Sequence, residues 1–116
     1  MEKTVLAGAN NVNKKYFFEP LFGSLPESIK DEIRDICVVL AEKLNCTFVI
    51  SFYENGDIVF EIVKNEGDVD FDDIGADLEI KILKKEKNEL IKALKLWYVI
   101  NMTDEGRKVK SDLIGE

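Results

Sequence analysis

Histidine is absent from this chain of 116 residues, and its absence removes one common kind of catalytic site. A Cys–His nucleophile pair needs an imidazole, so it cannot be built here. Only two cysteines are present, Cys37 and Cys46, and their spacing matches no zinc-binding or redox motif. We therefore interpret both as reduced thiols that pack as small hydrophobic groups in the core.

Basic residues are fewer than acidic ones, 16 against 23, which gives a net charge of −7. Binding to nucleic acid requires clustered Lys and Arg side chains that meet the phosphates. Binding to an anionic membrane surface has the same requirement. The composition therefore argues against both partners, and no sequence feature indicates a particular small-molecule ligand.

Long apolar runs are also missing. A membrane-spanning helix needs roughly 18 apolar residues in succession, and no segment approaches that length. The apolar stretch within residues 1–10 is shorter than the signal-peptide core of about 7–15 residues. We therefore expect the amino-terminal segment to be retained and the protein to be cytoplasmic.

The length predicts one domain with a hydrophobic core that needs neither disulfides nor metals. The residue patterns predict an α+β fold, in which a small antiparallel sheet built on one Asn-Gly hairpin packs against two helices. We expect this domain to span residues 1–102 and a mobile polar tail to follow over 103–116. The expected elements are an arm or short strand over 1–24, a helix over 25–45, the hairpin over 46–64, an acidic loop over 65–77 and a second helix over 78–101.

The amino-terminal half of the domain carries clear boundary signals. A short strand is predicted for residues 3–7, with a turn at 8–11. Ser24 and Glu27, with Pro26 between them, predict a capping box at the start of the first helix. Apolar residues then recur every three or four positions, which predicts one buried side of that helix.

Asn55-Gly56 lies between two β-branched and aromatic segments, a pattern typical of a hairpin with a two-residue turn. That turn would place Phe52 opposite Val59 and Ile50 opposite Glu61. One face of the hairpin would then carry Phe48, Ile50, Phe52, Val59 and Val63, and the other would carry Val49, Tyr53, Ile58, Phe60 and Ile62. Because both faces would be apolar, we expect both to be covered, one of them by the arm or by a second subunit.

The second helix becomes apolar on all sides near its end, at residues 96–100. A helix with one side in solvent does not have this pattern, so we expect this end to be fully buried or to contact a partner. By propensity the same run could also form a strand. The expected interface comprises Leu96, Trp97, Tyr98 and Ile100 together with Phe48, Ile50 and Phe52.

Six of the twelve residues from 66 to 77 are acidic, and without them 17 acidic residues would face 16 basic ones. Within and after this segment, Asp68, Asp70, Asp72 and Glu79 match the ligand positions of an EF-hand loop, which suggests a Ca²⁺ or Mg²⁺ site. The loop position that needs glycine is Asp73, however. The alternative is a solvated loop whose acids favour the start of the next helix, with no cofactor bound.

The second helix also carries a row of lysines, which is either a solvated face or a partner surface for acidic groups. A specific version pairs this row with the acidic loop of another subunit across a two-fold axis. The row consists of Lys81, Lys84, Lys85, Lys92 and Lys95.

Three stretches taken together resemble a known group of proteins: Val5–Asn10, Lys15–Glu32 and Asp73–Glu79. They are similar to a small uncharacterised family of single-domain proteins from Firmicutes, of the clostridial kind. The resemblance implies a bacterial cytoplasmic protein. It implies no activity and no functional residues.

The apolar surplus of the hairpin and of residues 96–100 favours a non-enzymatic protein-interaction or regulatory module. We expect it to form a homodimer or to bind another protein. The alternative function is a divalent-cation module that uses the acidic loop. A third hypothesis is a small hydrolase with loop carboxylates as acid and base, which would need a concave site with contrasting environments for the two groups.

Overall fold

The computed structural model describes residues 2–114, and it confirms the predicted α+β fold. Four strands form one antiparallel sheet in the order β2-β1-β3-β4. The strands are β1 (Lys3–Asn10), β2 (Lys15–Phe18), β3 (Cys46–Tyr53) and β4 (Ile58–Lys64). The helices are α1 (Glu27–Leu44), α2 (Asp73–Glu86), α3 (Asn88–Met102) and α4 (Asp104–Ile114), with a 3₁₀ turn at Pro20–Phe22.

The arm expected over 1–24 forms two strands at one side of the sheet. β1 pairs with β3 along its length and continues to Asn10, so the turn predicted at 8–11 lies after that residue. The backbone of Gly8 pairs with both Val49 and Phe17, and pairing on both sides outweighs its turn chemistry.

α1 begins later than the predicted capping box requires. Pro26 is its N-cap, Glu27 is its first residue, and no side chain among the described residues caps it. The predicted box is therefore wrong, because Ser24 lies before the turn that leads into the helix. The predicted stop at Asn45 is confirmed, since this residue adopts a left-handed conformation with φ of 49°.

The predicted register of the hairpin is wrong by one residue. The loop contains three residues, because Tyr53 N–H donates to the Asp57 carbonyl at 2.8 Å and Gly56 N–H donates to the Tyr53 carbonyl at 2.9 Å. Glycine with φ of 89° completes such a loop. One face therefore carries Phe48 opposite Ile62, Ile50 opposite Phe60 and Phe52 opposite Ile58.

This register gathers the large apolar side chains on one face, which we call the inner face. Phe48, Ile50 and Phe52 are buried there, beneath α1 and α3. The other face carries a mixture of smaller and charged residues, including Thr47, Glu61 and Val63. The hairpin therefore has one strongly apolar face, whereas the predicted register implied two.

The helix predicted over 78–101 is two helices separated at Lys87. Helical backbone hydrogen bonds nevertheless continue on both sides of Lys87. Its N–H donates to the Leu83 carbonyl at 2.8 Å, and its carbonyl accepts from Ile91 N–H at 2.9 Å. Residues 96–100 are helical, so the strand alternative is wrong. α2 also starts earlier than predicted, at Asp73, because the Asp72 side chain caps it.

The tail predicted to be mobile over 103–116 is instead helical over Asp104–Ile114, where α4 packs against α3, and residues 115–116 lie outside the described part of the chain. Thr103 connects the two helices: its hydroxyl donates to the Val99 carbonyl and accepts from Gly106 N–H at 3.1 Å. Gly106 itself approaches the Val99 carbonyl so closely that a Cβ atom could not be accommodated. The boundary expected at 102 thus coincides with a helix end.

Phe22 joins the separate elements in one core. Its fully buried ring lies 5.2 Å from the ring of Phe52 on the sheet and 6.0 Å from that of Trp97 on α3, between ring centroids. α3 is also tied to the hairpin by Lys95, whose ammonium lies 2.6 Å from Asp57. This hydrogen bond, helped by Asn55, holds the pKa of Asp57 below its usual range.

Candidate interaction surface

α2 is apolar on two opposite sides, and residues 2–114 cover one of them and leave the other exposed. Ala76 and Leu83 are buried, and their side of the helix is held against α1 by ion pairs. Glu79 meets Lys43 at 2.9 Å, and Lys87 meets Glu32 at 3.0 Å. These two pairs fix which side of α2 faces solvent.

The solvent-facing side of α2 carries three large apolar residues in one row. Ile74, Leu78 and Ile82 are 76%, 54% and 48% exposed. Their four-residue spacing places them directly above one another on the helix. We call these three residues the outer α2 stripe.

The charges of α2 are divided along its length. Asp72, Asp73 and Asp77 lie at its start and in its first half, whereas the second half carries exposed lysines at 81, 84 and 85 against one exposed acid, Glu86. This distribution complements the helix dipole, which is positive at the amino end and negative at the carboxyl end. The outer α2 stripe therefore runs from an acidic surface to a basic one.

The acidic segment forms a folded entry to α2. The Asp68 side chain accepts from Asp70 N–H at 3.2 Å, and the Asp72 side chain accepts from Gly75 N–H at 2.9 Å. Asp73 forms an ion pair with Lys64 of β4 at 2.9 Å. These bonds agree with the alternative in which the acids support the start of the helix.

The structure brings the four predicted metal ligands to one depression of about 440 Å³, which Lys43 also lines. Two of them have other partners there, since Asp72 caps α2 and Glu79 pairs with Lys43. Among the described residues, no group of three or more acidic or cysteine side chains could hold a metal ion. The cation site stays a prediction.

The structure separates the predicted interface residues into three groups. Phe48, Ile50 and Phe52 lie in the core of the folded chain, so they are wrong as surface contacts. Trp97, Tyr98 and Ile100 are half-buried, and the Tyr98 ring packs 4.6 Å from that of Phe52. Leu96 is the one that projects, at 61% exposure. Sequence reasoning missed the outer α2 stripe, although the four-residue spacing of its members was a usable signal.

The outer face of the sheet is a second surface with apolar residues. Val5, Phe17 and Val63 are exposed on it. The ion pair between Lys3 and Glu61, at 2.9 Å, crosses the same face and divides the apolar area. Sequence reasoning missed Val5 and Phe17 because the segment 1–24 was predicted as an arm or short strand without a pairing register, so the face of each side chain was not assigned.

A cleft of about 300 Å³ separates the β1–β2 turn from α1, and Lys15, Tyr16 and Arg34 line it. The buried Tyr16 hydroxyl has no hydrogen-bond partner within residues 2–114. Burial raises the pKa of Tyr16 to about 12, and it raises the pKa of Cys37 to about 12 and of Cys46 to about 11. Both thiols are therefore protonated at neutral pH and are poor nucleophiles.

The described fold defines a small α+β protein in which a four-stranded sheet and its covering helices leave distinct apolar surfaces in solvent. No described helix has the length and apolar character needed to cross a membrane. The chain belongs to a family of unknown function (DUF6145), whose pattern matches residues 3–106. No curated protein and no solved structure matches the chain. Membership of an uncharacterised family is thereby confirmed, and the clostridial origin stays a prediction.

Proposed function

We propose that this protein is a non-enzymatic cytosolic interaction module that self-associates through the outer α2 stripe. The observation that carries the proposal is the exposure of Ile74, Leu78 and Ile82 on the side of α2 opposite its buried side. Removing a side chain of this size from water contributes roughly 1.5–3 kcal/mol. A row of three on one helix is a compact contact surface.

The outer α2 stripe suits this role better than the other exposed surfaces. On the outer sheet face, the Lys3–Glu61 ion pair lies among the apolar residues, and burying it would remove two charges from water. On α2 the charged residues flank the apolar row. An apolar centre with a charged rim is the usual anatomy of a protein–protein interface.

The nucleophiles and carboxylates of the chain also support a non-enzymatic role. Cys37 and Cys46 are buried, and their raised pKa values keep them protonated. Asp72 and Glu79 already hold structural partners. The cation-binding and hydrolase hypotheses stay predictions with less support than the interaction module.

Light scattering after size exclusion, at loading concentrations of about 5 to 500 μM, would test self-association. We expect the wild-type mass to rise from monomer toward dimer across this range. Leu78→Glu should keep the protein monomeric, because it places a charge in the centre of the stripe. Val39→Glu is the matched control, since Val39 on α1 is 53% exposed and Leu78 is 54% exposed.

A wild-type protein that is monomeric at every concentration would contradict the proposal. Equal loss of association in Leu78→Glu and Val39→Glu would also contradict it, because the loss would then not be specific to the outer α2 stripe. Far-UV circular dichroism of both variants confirms that each remains folded before the masses are compared.

A further inference from the structure

We infer that the partner of the outer α2 stripe is a second copy of this chain, with the two α2 helices antiparallel about a two-fold axis beside Leu78. The inference rests on the proposed function and specifies its geometry. It is argued from the positions of Asp77 and Lys81, which flank the stripe. It makes α2 a self-complementary surface, as a two-fold contact requires.

The apolar residues fit this arrangement. A two-fold axis beside Leu78 brings the two Leu78 side chains together and sets Ile74 of each copy against Ile82 of the other. All three residues of each stripe are thereby buried.

The charges beside the stripe determine the direction of the second helix. In the antiparallel arrangement, Asp77 lies about 3 Å along the helix axis from Lys81 of the second copy, at 1.5 Å per residue. A turn of about 100° per residue places both side chains on the same side of the stripe, so they face one another. The two-fold axis forms this ion pair twice and brings the two Asp77 carboxylates near one another once, so the attractive pairs outnumber the repulsive one on this flank.

A parallel arrangement would have the opposite electrostatic result. The acidic first half of α2, where Asp77 beside the stripe has no ion pair within residues 2–114, would then lie beside the same half of the second copy, whereas Asp73 is already paired with Lys64 of its own chain at 2.9 Å. The lysines at 81, 84 and 85 of the two copies would lie together at the other end. Like charges at the rim of an interface disfavour the pairing. The acidic and basic halves of α2 therefore select the antiparallel direction.

The opposite flank of the stripe does not reverse this conclusion. Glu79 lies on that flank, where the two-fold axis would bring it near Glu79 of the second copy. Its carboxylate is already paired with Lys43 of its own chain at 2.9 Å. The Lys43 ammonium offsets the charge of Glu79, and the repulsion between the copies is correspondingly small.

A charge swap tests this geometry in the full-length chain. Asp77→Lys and Lys81→Asp should each weaken self-association about fivefold or more, because each replaces two attractive pairs with two repulsive ones. The double variant should regain the wild-type dissociation constant within about threefold, since it restores both pairs in reverse. Sedimentation equilibrium measures these constants, and far-UV circular dichroism checks the fold of each variant.

Mixing the two single variants provides a second readout. Asp77→Lys leaves lysine at both positions of its chain, and Lys81→Asp leaves aspartate at both positions of the other. Every charge pair that residues 77 and 81 form between the two different chains is therefore attractive. The mixture should form a heterodimer more tightly than either variant forms a homodimer. Native mass spectrometry distinguishes the three species by mass. Asp35→Lys on α1 is the control for the change in net charge, and we expect it to leave the dissociation constant unchanged.

The results separate this geometry from the proposed function. A wild-type dimer that is broken by Leu78→Glu but unaffected by Asp77→Lys and Lys81→Asp would overturn the antiparallel arrangement and leave self-association standing. A dimer in which the single swaps weaken binding but the double variant does not recover would overturn the pairing of residues 77 and 81. A monomeric wild type would overturn both.

Discussion

Gly56 shows how a single residue serves two neighbouring elements. Its φ of 89° closes the hairpin loop, and the Asn-Gly sequence signalled this need for a left-handed conformation. α3 adds a requirement that no local pattern contains. A Cβ atom on Gly56 would lie 3.2 Å from a ring carbon of Tyr98 and 3.3 Å from the Lys95 carbonyl oxygen.

Gly56→Ala should therefore lower the free energy of unfolding by more than a glycine-to-alanine substitution that introduces backbone strain and no steric contact. Gly67→Ala is the matched control, because Gly67 has φ of 79° and none of the described residues places an atom within 4 Å of an added Cβ. We expect a loss of about 1 kcal/mol for Gly67→Ala and about 2–3 kcal/mol for Gly56→Ala, measured by urea denaturation. Equal losses would mean that the contact between the loop and α3 adds nothing.

The two buried cysteines give a prediction about pH. Because Cys37 and Cys46 have raised pKa values in the folded state, that state binds more protons than the unfolded chain at alkaline pH. Stability should therefore be unaffected below the ordinary thiol pKa of 9.0 and should fall as pH rises through the folded values of about 11 and 12. Urea midpoints measured across this range check the sign.

Thiol labelling provides the control for that prediction. Neither cysteine should react with Ellman's reagent in the folded protein near pH 8, and both should react in denaturant. Cys37→Val should remove part of the alkaline loss. Rapid labelling of the folded protein would contradict the buried, protonated state of the thiols.

At the scale of elements, the start of α2 shows how an acidic segment becomes structural. Asp72 accepts from Gly75 N–H, and Asp73 pairs with Lys64, so the charges sit where the helix dipole is positive. The sequence already offered this interpretation beside the metal hypothesis. The two make different predictions for Asp72.

Asp72→Ala should lower the free energy of unfolding by about 1 kcal/mol, because it removes the cap of α2. Asp70→Ala, two residues earlier in the same segment, should have a smaller effect. Thermal melting of both variants with chelator measures the cap. Repeating the melts with about 5 mM CaCl₂ tests the metal hypothesis, which predicts a rise in wild-type melting temperature that both variants reduce.

The hairpin shows where element prediction fails. Its strands and its Asn-Gly loop were predicted, but the loop holds three residues instead of two, and every strand pair moved by one position. A slip of one residue exchanges the faces of a strand. The large residues Phe60 and Ile62 thereby join Phe48 and Ile50 on the inner face, because the described helices cover that face.

At the scale of the whole molecule, Phe22 unites the sheet with α3. It precedes α1 in sequence, yet its ring contacts Phe52 of β3 and Trp97 of α3. Contacts among three distant parts of the chain favour cooperative unfolding. The single-domain prediction for residues 1–102 can be tested through this residue.

Phe22→Ala should lower the free energy of unfolding by about 3–5 kcal/mol, because it leaves a cavity among buried aromatic rings. Trp97 is the only tryptophan, so its fluorescence reports on α3, while far-UV circular dichroism reports on all elements. Both signals should give the same urea midpoint in wild type and in variant. Different midpoints for the two signals would mean that α3 unfolds separately from the sheet, and this result would contradict a single domain.

Local sequence patterns were sufficient to predict the α+β class, the position of α1, the existence of the hairpin and the concentration of acids before α2. These follow from local periodicity, turn chemistry and charge, which are properties of neighbouring residues. Three features follow instead from contacts between distant parts of the chain: the hairpin register, the pairing of β1 with β3 and the side of α2 that remains in solvent. Each depends on which distant surface covers which face, and the ion pairs of Glu79 and Lys87 with α1 join residues far apart in the chain.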